Sequence, residues 1–72
     1  MKEIVEMKHA IGDTAGKIWR RLKSEGETSI TNVPKLLDEK SPLAYMALGW
    51  LAREDKVEFR DEKGKTYVKV IE

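Results

Sequence analysis

Few residues in this chain have a type and spacing that supports bond-making chemistry. His9 is the sole histidine and there is no cysteine, so no paired ligand spacing exists from which to build a zinc set. Ser24, Ser29 and Ser41 have no neighbouring histidine to activate them, and Ser41 reads better as a helix cap. Asp38-Glu39 and Glu54-Asp55 fall at expected helix ends, where contact with water leaves carboxylates ordinary. The five glycines are scattered singly, which leaves no glycine-rich loop to cradle a phosphate. The sequence therefore predicts a non-catalytic chain with no cofactor, no metal and no small-molecule substrate.

Binding chemistry is what remains. The 14 Lys+Arg and 13 Asp+Glu nearly cancel, whereas domains that hold nucleic acid through phosphates usually carry a basic excess on one face. The densest basic group is Lys17, Arg20, Arg21 and Lys23, joined in character by Lys63 and Lys65 near the C-terminus. A double-stranded DNA partner, held weakly and through phosphates, would be met by Lys17, Arg20, Arg21, Arg53, Arg60 and Lys65. A plain solvated face is the alternative, because Glu25, Asp61 and Glu62 lie beside those charges.

Such groups can act only if secondary structure positions them. The chain has 72 residues, enough for one domain over 1–72 that buries about 60% of its unfolded surface, so large apolar residues are needed inside. Ile4, Met7, Ile11, Ala15, Ile18, Trp19 and Leu22 recur at helical spacing. The firm part of this helix is Asp13 to Ser24, with Asp13 as its cap and Gly26 as its stop. Residues 1–12 either extend it or form a flexible lead. Gly12, Ala15 and Gly16 make a small-residue strip suited to a neighbouring helix, and Trp19 reads as core.

Glu27–Thr31 reads as a short edge strand, and Thr31 as the cap of a second helix over Asn32–Asp38. Ser41-Pro42 opens a third helix running to about Glu54, two or three residues after the second, the tight connection of a helix-turn-helix. Val57–Arg60 and Thr66–Ile71 are strand-like and flank Asp61–Lys65, whose glycine suits a hairpin turn. The predicted fold class is α+β: a winged helix-turn-helix of three helices, a C-terminal two-stranded wing and a short third edge strand. The longest apolar stretches span only a few residues, so no membrane segment is expected, and the absence of cysteine fits a soluble, cytoplasmic protein.

The third helix decides what kind of partner fits. With Ala44, Ala47, Leu48 and Leu51 inward, its outer face presents Tyr45, Met46, Gly49, Trp50 and Arg53. Arg53 alone is basic there, and it sits at the far end. Base reading needs more donors and acceptors than this. Leu43, Tyr45, Met46, Gly49 and Trp50 instead have the composition of a protein interface, for another protein or a second copy of the chain in a homodimer. An alternative stays open in which Trp50 folds back toward the first helix and Met46 caps the core, leaving no patch.

Ala15-Gly16-Lys17-Ile18-Trp19-Arg20-Arg21-Leu22 and Ala47-Leu48-Gly49-Trp50-Leu51-Ala52-Arg53-Glu54-Asp55-Lys56 resemble a small family of uncharacterised prokaryotic winged helix-turn-helix proteins. The resemblance covers nearly the whole chain. It implies the same fold and supplies no catalytic residues. By fold-level analogy it implies DNA binding tied to transcription as the commonest use, with protein contact as a frequent second.

Overall fold

A computed structural model describes residues 2–71, with side chains from Met7 to Ile71. Ile4 of the apolar stripe, and the ends of the expected 1–72 domain, lie outside the described side chains. The element order is α1 (Lys2–Glu25), β1 (Thr28–Ser29), a 3-10 turn (Ile30–Asn32), α2 (Val33–Leu37), α3 (Ser41–Arg53), β2 (Val57–Glu62) and β3 (Lys65–Val70). The sheet is antiparallel with strand order β1-β3-β2. This is the winged helix-turn-helix arrangement, with the wing formed by β2 and β3.

Of the two alternatives for the stretch before Asp13, α1 takes the extension, starting at Lys2. It runs unbroken through Gly12, Asp13 and Gly16, so Asp13 is an exposed mid-helix residue rather than a cap. The reason is packing. Ala15, Ile18 and Leu22 of α1 meet Ala44, Ala47, Leu48 and Leu51 of α3, with Val33, Val57 and Val68 closing the same core. That burial outweighs the roughly 1 kcal/mol each helix-interior glycine costs relative to alanine. At the other end Gly26 takes φ +83 and donates its N–H to the Leu22 carbonyl at 2.8 Å, the left-handed stop expected there.

Two expected caps move. Residue 32 rather than Thr31 precedes α2, because the 3-10 turn occupies Ile30–Asn32, and the Thr31 hydroxyl bonds the Ser29 hydroxyl instead. Lys40 precedes α3, so Ser41 and Pro42 both lie inside its first turn and Ser41 makes no cap bond. Shifts of one residue are ordinary at helix ends. Asp38, the C-cap of α2, takes φ 55, and Asp55, one residue past the Glu54 C-cap of α3, takes φ 58, both in the left-handed region. Aspartate tolerates this conformation better than most residues.

The wing turn is tighter than the five-residue connection expected. Glu62 pairs directly with Lys65, leaving Lys63 (φ 53) and Gly64 (φ +82) as a two-residue turn. Positive φ at both positions matches the right-handed twist of the flanking strands. Asp61 and Glu62 thus belong to β2. Residues opposite one another share a face, so Val57 with Val70 and Phe59 with Val68 line the inner side. Glu58 with Lys69, Arg60 with Tyr67 and Glu62 with Lys65 line the outer one.

The glycines give a direct check. A Cβ built on Gly12 meets nothing within 4 Å, so Gly12→Ala is expected to stabilise the fold by about 0.5–1 kcal/mol. For a domain this size that raises the melting temperature by several degrees. Gly64→Ala, at a φ that side chains resist, is expected to lower it. Thermal melts showing the two variants shifted in the same direction would contradict this account of α1 and the wing.

Candidate interaction surface

The packing that buries Ala44, Ala47, Leu48 and Leu51 leaves the opposite side of α3 to solvent. Tyr45 is 41% exposed, Met46 42% and Trp50 52%. The alternative in which Trp50 and Met46 cover the core is not adopted. Gly49 lies among these side chains, and a Cβ added there would meet nothing within 4 Å. Arg53 is exposed in the last turn of α3. Leu43 is only half-buried, because it borders an open concavity of about 550 Å³ with Met7, Ala10, Pro42 and Met46. The rim of that concavity is Asp38, Glu39 and Lys40.

The six residues expected to meet phosphates divide into two groups. Lys17 lies 4.0 Å from a Glu39 carboxylate, and Arg21 lies 3.3 Å from Glu25 one helical turn on. Arg60 is the most engaged. Its Nε and Nη2 donate to the two Glu27 oxygens at 3.0 and 2.7 Å, its Nη1 donates to Glu62, and its guanidinium carbon lies 4.8 Å from the Tyr67 ring centre. Arg20, Arg53 and Lys65 form no ion pair among the described residues. Lys65 borders a shallow polar concavity with Ser29, Asn32 and Thr66.

The Arg60 cluster follows from the register of the sheet. β1 and β2 flank β3, which brings Glu27, just before β1, to the same outer face as Arg60 and Glu62. The hydrogen bond from Arg60 lowers the Glu27 carboxyl below its ordinary value of 4.5, a slight desolvation opposes this, and the Arg60 and Lys69 charges add to it. Arg60 is correspondingly held more firmly protonated by Glu27 and then Glu62. A two-oxygen guanidinium pair is geometrically specific, so this arginine braces the wing against β1.

A second feature lies between α1 and α3. Trp19 and Trp50 both line a cleft of about 200 Å³ with Gly12, Gly16, Arg20, Glu54 and Lys56. Trp19 is half-buried against the core, and Lys23 Nζ sits 4.6 Å from its ring centre. The small-residue strip of α1 is therefore an opening beside α3 as well as a contact with it. Reading Trp19 as core alone hides this cleft. The available signal was the placement of Gly12, Gly16 and Trp19 on one side of α1.

Residues 6–70 match the family model described as winged helix-turn-helix domain (DUF2582). The chain belongs to this family. It is 41% identical to an uncharacterised protein, MJ1608, of Methanocaldococcus jannaschii, over 83% of this chain and 89% of that protein. It is also similar to the solution NMR structure of protein BT2368 from Bacteroides thetaiotaomicron, with a TM-score of 0.77 and 31% identity. That likeness covers 88% of this chain and 77% of the other. The family description gives a fold whose common use is DNA binding, and names no particular role. Among the described residues no helix is long and apolar enough to cross a membrane, and no cluster of three or more His, Cys, Asp or Glu is arranged to hold a metal.

The lowered Glu27 carboxyl sets a pH dependence. Its pair with Arg60 adds stability at neutral pH and loses it as pH falls below 4.5 and through the folded-state value. A melting series from neutral to acid pH is expected to decline less steeply in Glu27→Gln than in the parent chain. Parallel curves would show that the pair contributes nothing to the fold.

Proposed function

We propose that this chain is a non-catalytic winged-helix binding module that docks on double-stranded DNA through phosphates, with little preference for sequence. The observation that supports this is the open face of α3, ending in Arg53, on a fold commonly used for DNA. Arg20, Arg53 and Lys65 are the principal contacts. Lys17 and Arg21 can join them, because exposed ion pairs hold at only about 0–1 kcal/mol and exchange readily for a phosphate. Arg60 stays with its two carboxylates. The outward α3 face offers one cation and one phenol among apolar groups, so base edges find few partners.

With three to five phosphates neutralised, the logarithm of affinity is expected to fall with the logarithm of salt at a slope of about −3 to −4.5. Titration of labelled duplexes of unrelated sequence should give similar constants. Arg53→Gln and Lys65→Gln should each flatten the slope by about one unit. Arg60→Gln should leave it unchanged. A salt-independent association, or slopes unaffected by the Arg53 and Lys65 changes, would remove this reading.

A second reading has its own support in the exposure of Tyr45, Met46 and Trp50 around Gly49. Half-exposed aromatic and methionine side chains beside a glycine suit a protein partner, including a second copy of this chain. Three side chains leave on the order of 300 Å² of apolar surface, so self-association would be weak. Sedimentation equilibrium would then give a mass that rises with concentration and returns to the monomer in Tyr45→Ala. A constant monomer mass up to millimolar concentration would exclude the homodimer.

A further inference from the structure

We propose that the Trp19–Trp50 cleft is a stacking site for one unpaired base of a single-stranded nucleic acid, with flanking phosphates held by Arg20 and Lys56. This goes beyond duplex docking. It shares Arg20 and one edge of α3 with that surface but concerns another state of the strand, and binding of single strands tests it apart from the duplex.

The first support is the pairing of ring surface with positive charge. Trp50 is 52% exposed, and both indoles line the same cleft. The cleft lining supplies Arg20 and Lys56 against one carboxylate, Glu54, and Lys23 lies over the Trp19 ring beside it. None of the three cations forms an ion pair among the described residues. Proteins that hold single strands combine aromatic platforms with cations along the backbone path, because every base has a π face and every linkage a charge. An acidic peptide would use the cations and leave the indoles without purpose. A second copy of the chain would bring like charges together across the two-fold axis.

The second support is the glycines. Gly12 and Gly16 lie inside α1, where each costs stability, and neither adopts a positive φ that would require glycine. No contact within the chain requires them either. A Cβ on Gly12 would meet nothing, and one on Gly16 only the Arg20 Nη1 at 3.6 Å. Their missing side chains have a visible consequence in the cleft they help line and in the room for Arg20 to fold back over Gly16. A volume of about 200 Å³ equals roughly seven waters at ~30 Å³ each. That suits one flat ring system with its sugar and phosphate outside.

The chain's two tryptophans both line the site, so intrinsic fluorescence reads it directly. The probes are oligothymidylate and oligouridylate of roughly a dozen nucleotides, an abasic deoxyribose-phosphate strand of equal length, and a duplex. The two base-bearing single strands are expected to quench the emission. The abasic strand should bind at least tenfold more weakly. Trp50→Ala should cost a similar factor while leaving the duplex salt slope intact. Gly12→Leu fills the cleft without lowering the melting temperature, and should abolish the quenching. Absence of quenching by either single strand would overturn the proposal. So would equal binding of the abasic strand, quenching by duplex alone, or parent-like affinity in the folded Trp50→Ala or Gly12→Leu chain.

Discussion

The contact between α1 and α3 is the constraint on which the other features depend. Ala44 and Ala47 are fully excluded from water, and Ala15 nearly so. Alanines at a helix crossing let the backbones approach closely, and Ile18, Leu22, Leu48 and Leu51 fill the space around them. In a chain this short there is little other core. This crossing fixes the rotation of α3 about its own axis. That rotation leaves Tyr45, Met46, Gly49, Trp50 and Arg53 outside, and it sets Trp50 across from Trp19.

Part of the charge on this molecule is spent on itself. Lys69 lies 3.8 Å from Glu58, Arg60 joins Glu27 to Glu62, and Lys17 and Arg21 have carboxylates in reach. Exposed pairs of this kind hold loosely, so they define a default arrangement more than a barrier to binding. The Arg60 cluster differs because three acceptor and ring partners converge on one guanidinium. Its role belongs to the wing's attachment. Among the described residues, Lys65 near the wing tip, Arg53 at the end of α3 and Arg20 and Lys56 at the tryptophan cleft form no ion pair, and those places shape the functional proposals.

Much of the architecture was legible in the residues. Helical spacing of apolar side chains predicts α1 and α3, Gly26 marks the end of α1, and alternation around a glycine turn predicts the wing. The inward stripe of α3 follows from its period alone. Boundaries were less legible, because helix and strand ends depend on what packs against them. Gly12 and Asp13 look like a break until α3 is alongside, and Asp61 and Glu62 look like loop until β3 pairs with them.

The sequence by itself determined the order of the elements and the buried faces of α1 and α3. These depend on local spacing and residue type, which one dimension records. Only the tertiary structure decided which charges are engaged and which surfaces adjoin. Glu27 and Arg60 are 33 positions apart, and Trp19 and Trp50 nearly as far. Sheet register joins the first pair and a helix crossing the second, and no local pattern specifies distances made through the core.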